Sequence, residues 1–179
     1  MRTKTLGSRK RRPEIGDVVL IPVDKSRSGI AQVVGKYKST ALFLSVFDRL
    51  VGPGTGQVEV NADDSVLLLA LTFDAKIWNG DWTFVGNSPV LPGHDPLPAY
   101  IVGISPPGAF VLEDYAGFRR RPATQEECLR FRPRTLVSPI VVEKALKAYH
   151  GVDEWEKRFD QLRIVPESNR SDVVFGTTR

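Results

Sequence analysis

The order of the apolar segments constrains the fold of this chain more than any other feature. Short stretches rich in valine, isoleucine and aromatic residues fill the first two thirds, and glycine, proline or polar turns separate them. Such stretches predict β-strands joined by tight turns. The predicted strands cover residues 17–21, 29–35, 40–47, 66–73, 82–86, 100–104 and 109–112. The run at 66–73 is apolar almost without interruption, which predicts a central strand buried on both faces.

Helix signals replace the strand signals in the last third of the chain. Thr124 and Glu127 have the spacing of a capping box. Ser138 precedes a proline, which is a common start of a helix. Asp153 repeats the capping pattern before an apolar stripe that begins at Trp155. Together these patterns predict an α+β fold: a curved antiparallel sheet, like an SH3-like half-barrel, with C-terminal helices packed on it.

The composition divides the 179 residues into three parts. Residues 1–13 hold six basic residues, no acidic residue and almost no apolar side chain, which predicts a flexible basic arm. Residues 14–166 carry the strand and helix patterns, and they are long enough to bury the core of a single α+β domain. Residues 167–179 are mostly polar, and we expect them to form a loose tail.

Charge is distributed unevenly along the chain. Residues 40–118 contain two basic and nine acidic residues, a net charge of −7, whereas residues 119–134 contain six arginines and two glutamates, a net charge of +4. Such asymmetry favours a charged partner. We expect the acidic stretch to recognise that partner, with Asp81, Glu113 and Asp114 as the candidate contacts.

Three consecutive arginines and one tryptophan complete the candidate partner-binding set. Arg119, Arg120 and Arg121 either contact a partner or neutralise acidic residues of the same chain. Trp78 lies just before a turn, where an aromatic side chain is either a core anchor or a recognition residue. The sequence leaves both alternatives open for each of these residues.

A nucleic acid is a weaker candidate partner than a protein. The basic arm and the aromatic residues beside arginines favour nucleic-acid binding. The acidic stretch would, however, repel a phosphate backbone. We therefore expect a protein partner, and the sequence carries no signal for an oligomeric state.

Catalytic and metal chemistry find little support in the residue pattern. The chain has two histidines and one cysteine, and it contains no zinc-ligand spacing, nucleophile elbow or Walker loop. We expect no catalytic set, no metal and no cofactor, with His94 exposed in a loop and Asp63 and Asp64 solvated. The single cysteine fits a reducing compartment, and no apolar run is long enough to cross a bilayer. These features predict a cytoplasmic protein without membrane contact.

Several stretches of the chain resemble one bacterial family. They are residues 16–22, 29–35, 72–74, 78–82 and 85–89, followed by residues 138–151 and Trp155. The first two read GDVVLIP and GIAQVVG, and residues 78–82 read WNGDW. In this order, over about residues 14–163, the stretches resemble the immunity proteins of bacterial polymorphic toxin systems, class twenty-six.

The resemblance implies a cytosolic protein that binds and neutralises a cognate toxin, with no catalytic set. The same domain class includes a small organophosphate hydrolase, so a hydrolase of phosphotriesters is the alternative function and enzymatic activity stays open. A nucleic-acid-binding SH3-like module is the further alternative. The basic arm at residues 1–13 lies outside the resemblance.

Overall fold

Two antiparallel sheets make up the strand part of the molecule. The computed structural model describes residues 11–104 and 108–176, so most of the predicted basic arm lies outside the described residues. Within them, eight strands form one sheet of five and one sheet of three strands, and short helices connect and cover these sheets. The predicted α+β class is confirmed. None of the helices in the described part of the chain has the length and apolar character that a bilayer crossing requires.

The first five strands form the larger sheet. They are β1 (Asp17–Pro22), β2 (Ser28–Tyr37), β3 (Ala41–Val51), β4 (Val66–Phe73) and β5 (Thr83–Asn87), and one helical turn, α1 (Ala75–Trp78), joins β4 to β5. Their order across the sheet is β4-β3-β2-β1-β5. Each strand coincides with a predicted apolar segment to within a few residues, because turn residues bound every segment in the sequence.

The strand β4 lies at the edge of the larger sheet and not in its centre, which corrects the prediction made from its apolar sequence. Its inner residues are nevertheless buried on both faces, as that sequence predicts. Residues 132–137, which we call the linking segment, cover its outer edge. Val137 N–H donates to the Leu71 carbonyl at 2.9 Å, and Thr72 Oγ1 donates to the Val137 carbonyl at 2.8 Å. A continuous apolar run therefore reports burial on both faces but not the position among the strands.

One helix covers a face of the larger sheet. This helix, α3 (Pro139–Tyr149), begins at the predicted Ser-Pro signal. Gly29 on β2 permits the close packing, because a Cβ atom there would lie 2.6 Å from Leu146 Cδ2. Trp82 is 1% exposed in the same core, and its Nε1 donates to Glu143 Oε2 at 3.5 Å. Trp82 is therefore a core residue.

The smaller sheet is built from β6 (Tyr100–Ile104), β7 (Ala109–Glu113) and β8 (Arg120–Pro122), paired in that order. The helix α2 (Gln125–Arg130) follows and has the predicted capping box, in which Thr124 and Glu127 each accept the other's backbone N–H. Ile101 N–H donates to the Arg132 carbonyl at 3.1 Å. The linking segment therefore joins the edge of the smaller sheet to the edge of the larger one.

The third predicted helix is shorter and begins later than its capping pattern indicates. Glu156 has an extended backbone, with φ −97° and ψ 143°, and only a 3-10 helix, Lys157–Leu162, follows it. Trp155 precedes this helix and packs edge-to-face on Phe159, with ring centroids 5.5 Å apart. Both rings join the core beneath α3, so tertiary packing overrides the local helix signal.

Residues 167–176 are ordered, which corrects the predicted loose tail. They form a 3-10 helix, Glu167–Asn169, and the short helix α4 (Ser171–Phe175). Ala99 N–H donates to the Asn169 carbonyl at 2.9 Å, and Ser171 N–H donates to the Leu97 carbonyl at 2.8 Å. These backbone bonds fix the segment against the residues before β6, and a polar sequence does not reveal them. Residues 177–179 lie outside the described residues.

The described end of the predicted basic arm is bound to the larger sheet. Two nitrogens of the Arg11 guanidinium each donate to an oxygen of Asp17 at 2.7 Å. The same guanidinium lies 4.5 Å from the ring centroid of Phe84. Arg11 is therefore part of the folded domain, and the predicted boundary at residue 13 lies too far along the chain.

Candidate partner-binding site

The structure places the seven predicted contact residues on two different sheets. Trp78 and Asp81 lie in and after α1, in the connection from β4 to β5 of the larger sheet. The other five, Glu113, Asp114, Arg119, Arg120 and Arg121, lie on β7, on β8 and in the turn between these strands of the smaller sheet. The predicted contact residues therefore belong to two separate parts of the fold.

Trp78 and Asp81 keep an exposed position. Trp78 is 44% exposed, and Asp81 is also exposed. Asp81 Oδ2 lies 3.5 Å from Lys76 Nζ, which also approaches Glu143 at 3.3 Å. Because Lys76 is shared between two carboxylates, it neutralises Asp81 only in part. The two residues stay candidates for contact with a partner.

The acidic pair at the end of β7, Glu113 and Asp114, makes hydrogen bonds and ion pairs within the chain. Asp114 is 3% exposed, and its Oδ1 accepts the backbone N–H groups of Phe118 at 2.8 Å and Arg119 at 3.2 Å. Glu113 Oε2 accepts from Arg134 Nη1 at 2.5 Å. Asp114 therefore holds the turn after β7, whereas Glu113 is paired with Arg134 of the linking segment. Both carboxylates are engaged within the chain, which favours internal pairing over the expected contact with a partner.

Two of the three consecutive arginines are also paired. Arg119 approaches Asp114 at 3.3 Å and donates through Nη1 to the Phe175 and Gly176 carbonyls at 2.9 and 2.8 Å. Arg121 makes a two-pronged contact with Glu127, at 2.9 and 2.6 Å, and lowers the pKa of that carboxyl to about 2. Arg120 is exposed, and no carboxylate of the described residues lies within 4 Å of it.

Two further residues are buried where the sequence predicts exposure. His94 is 5% exposed and its ring meets Phe47 edge-on, with centroids 5.0 Å apart. Asp64 is buried and accepts from Arg49 at 2.7 and 2.8 Å. The loops before β4 and β6 cover the second face of the larger sheet, and this cover is a tertiary feature. Among residues 11–104 and 108–176, no group of three or more His, Cys, Asp or Glu side chains is arranged to hold a metal ion.

Two arginines of the linking segment lie against Tyr100, at the junction of the two sheets. The guanidinium of Arg134 lies 4.1 Å from the ring centroid of Tyr37 and 4.9 Å from that of Tyr100. Arg132 lies 6.0 Å from the Tyr100 centroid, and its Nη1 donates to the carbonyls of Gln161 at 2.6 Å and Arg163 at 3.1 Å. Burial raises the pKa of the Tyr100 hydroxyl, and the nearby arginines oppose that shift.

The arginines at this junction differ in whether a carboxylate neutralises them. Arg134 is paired with Glu113. Arg132 is held by backbone carbonyls, and Arg130 lies over the Phe131 ring at 4.6 Å. Neither Arg130 nor Arg132 has a carboxylate within 4 Å among the described residues. A guanidinium held by neutral carbonyls keeps its full positive charge, so the junction is cationic.

Two cavities open beside Arg132. One, of about 310 Å³, lies between the edge of β4 and the 3-10 helix at Lys157–Leu162, and the other, of about 230 Å³, lies toward the end of α2. Arg132 and Asp160 line both. We call Arg130, Arg132 and Arg163, which line the smaller cavity, the arginine cluster. Because arginine stays protonated at all ordinary pH values, this cluster is suited to bind anionic groups but not to transfer protons.

One signal in the sequence indicates the region of the arginine cluster. Residues 119–134 carry a net charge of +4. Within this region the sequence pattern favours the consecutive residues Arg119–Arg121 as partner contacts, because their charges are adjacent. Arg130 ends α2, and Arg132 lies two residues later in the linking segment. The sequence does not show that these two side chains line one cavity together with Arg163.

Comparison of the chain with protein-family models, with curated proteins and with solved structures found no match.

Proposed function

We propose that this chain is a cytoplasmic immunity protein, which binds a cognate bacterial toxin and neutralises it by direct contact. The observation that carries the proposal is the pair of unneutralised guanidinium groups, Arg130 and Arg132, on the surface where the two sheets meet. The contact surface is then basic. The toxin is expected to present an acidic patch.

The stretches that carry the family resemblance contain residues that connect strands of the larger sheet. The proposal therefore gives these residues a structural part and places the toxin contact at the junction of the two sheets. Gln32 Nε2 donates to the Ser88 carbonyl at 2.9 Å, and Asn87 Nδ2 donates to Asp17 Oδ1 at 2.8 Å. These bonds connect β1, β2 and the end of β5, where three of the resembling stretches lie.

The local structure around Arg132 suits a recognition surface. Its guanidinium is fixed by two carbonyls before any partner binds, so less conformational entropy is lost on binding. Arginine is enriched at protein interfaces and at binding hot spots, where it pairs with carboxylates through two parallel hydrogen bonds. A fixed, unneutralised arginine therefore selects an acidic partner surface.

The test uses the proteins encoded next to the gene for this chain. One of them is expected to inhibit growth when expressed alone, and co-expression of this chain is expected to restore growth. The two purified proteins should elute together on a sizing column. No growth inhibitor among the neighbours, or an inhibitor that this chain neither binds nor neutralises, contradicts the proposal.

A pair of variants tests the surface itself. Arg130→Gln should weaken the complex by roughly tenfold, because it removes one charge-assisted contact. Arg158→Gln is the matched control, since Arg158 also lies over the following phenylalanine, at 5.4 Å, but is already paired with Glu156. Equal affinities for both variants would show that the toxin binds elsewhere on the molecule.

A further inference from the structure

The smaller cavity beside Arg132 has an unusual charge balance. Its lining includes the guanidinium-bearing side chains of the arginine cluster and one carboxylate, Asp160. The remaining lining side chains are Ala99, Ile164, Val165, Pro166 and Asn169, which carry no charge. The cavity lining therefore has three positive charges against one negative charge.

The single carboxylate is committed to one of the three arginines. Arg163 Nε donates to Asp160 Oδ1 at 3.0 Å, and the Trp155 indole N–H donates to the same oxygen at 3.1 Å. Arg130 and Arg132 have no carboxylate within 4 Å among the described residues. Two of the three guanidinium groups therefore keep an uncompensated charge at the cavity.

The backbone around the cavity is fixed. Asn169 Nδ2 donates to the Arg130 carbonyl at 3.2 Å, and Arg132 Nη1 donates to the Gln161 and Arg163 carbonyls. These bonds join the end of α2, the linking segment and the residues after the 3-10 helix. The Arg132 guanidinium is consequently fixed at the cavity, and the backbone of Arg130 is anchored beside it.

We propose that this cavity is a binding site for an oxyanion, that is, a phosphate or carboxylate group. Guanidinium groups bind such groups through charge-assisted hydrogen bonds, and the fixed position of Arg132 reduces the entropy lost on binding. The volume of about 230 Å³ accommodates one such group together with water but is small for a whole nucleotide. The site stands on its own geometry, and it does not require that the partner be a toxin.

The test is a titration of the free protein with inorganic phosphate and, separately, with acetate at matched ionic strength. Backbone amide chemical shifts of residues around the cavity, such as Ala99 and Asn169, should move and saturate with an affinity on the order of millimolar. Tighter binding of phosphate would indicate a phosphate group as the natural ligand, and tighter binding of acetate would indicate a carboxylate. No saturable shift with either ion overturns the proposal.

Variants separate a specific site from general attraction of anions. Arg130→Gln should weaken binding roughly tenfold, because one charge-assisted contact is lost. Arg132→Lys keeps the charge but loses the planar fork, and it should also weaken binding. Arg158→Gln should bind as the unchanged protein does. If Arg158→Gln loses as much affinity as Arg130→Gln, the anions bind by overall charge and the site does not exist. Because the titration needs no toxin, its failure leaves the proposed immunity function to its own test.

Discussion

The two sheets differ in what their charged side chains contact. On the larger sheet and in the loop before β4, two buried carboxylates each meet an arginine: Asp17 meets Arg11, and Asp64 meets Arg49. Around the smaller sheet several ion pairs also form, but Arg130 and Arg132 have no carboxylate within 4 Å among the described residues. The ion pairs of the first region stabilise the fold, whereas the surface proposed for binding in the second region includes two arginines that no carboxylate neutralises. The following predictions test this difference.

The largest effect is expected in the core of the larger sheet, where Trp82 packs beneath α3. Trp82→Ala should lower the free energy of unfolding by roughly 3–5 kcal/mol, because a buried aromatic side chain leaves a cavity. Trp78→Ala is the control, since Trp78 at the end of α1 is half-exposed. Urea unfolding measures both. A loss for Trp78→Ala as large as that for Trp82→Ala would contradict the assignment of the core.

A smaller effect is expected at Asp17, which tests whether the ion pairs of the larger sheet stabilise the fold. Burial alone raises the pKa of Asp17, but hydrogen bonds from Arg11, the Glu14 backbone and Asn87 outweigh it and lower that pKa. Asp17→Asn should cost about 2 kcal/mol at neutral pH, because hydrogen bonds to a charged group are lost. The cost is measured by urea unfolding as a function of pH.

The sign of the pH dependence follows from the lowered pKa. Asp17 contributes its full stability above the carboxyl pKa of the unfolded chain, about 3.9, and loses it as the pH falls through the lower folded-state value. The difference between the unchanged protein and Asp17→Asn should therefore shrink below about pH 4. A difference that stays constant across this range would show that the Asp17 charge is not what stabilises the strand.

We expect Arg11 to contribute to the stability of the fold and residues 1–10 of the basic arm to contribute little. Arg11→Gln should cost about 1–2 kcal/mol, because it leaves a buried carboxylate with fewer donors. Deletion of residues 1–10, which are almost devoid of apolar side chains, should leave the melting temperature within a few degrees. Thermal unfolding measures both variants. A large loss on deleting residues 1–10 would contradict this boundary.

The smallest effect is expected at the exposed ion pair of α2. Glu127→Gln should cost less than about 1 kcal/mol, because exposed ion pairs are weak and screened by salt. In the unchanged protein the Glu127 carboxyl should titrate with a pKa of about 2, which side-chain NMR measures. An ordinary pKa for Glu127 would show that the two-pronged contact with Arg121 does not persist in solution.

Local patterns in the sequence predict most of the strands and the helices α2 and α3. Alternating apolar residues bounded by turn residues identify β1 to β7, and the capping box identifies α2, because each signal lies within a few neighbouring residues. The same signals fail at the edge position of β4 and at the helix predicted from Asp153. Both outcomes depend on contacts with distant parts of the chain.

The candidate site is predictable only as a region of positive charge. The sequence indicates that residues 119–134 are basic, but it does not show that Glu113 pairs with Arg134, which lies 21 residues later. Once that pair, the pair of Arg121 with Glu127 and the pair of Arg119 with Asp114 form, the uncompensated charge falls on Arg120, Arg130 and Arg132. Which arginines remain for a ligand is therefore decided by the tertiary pairing.

The rate of association with the proposed toxin, measured for Arg130→Gln and Arg158→Gln over a range of salt concentrations, shows whether the uncompensated arginines form the contact surface. If the uncompensated arginines form the contact surface, Arg130→Gln should associate more slowly and with a flatter salt dependence. Arg158→Gln should match the unchanged protein, because its charge is already paired with Glu156. Identical rates and salt slopes for Arg130→Gln and the unchanged protein would contradict the account.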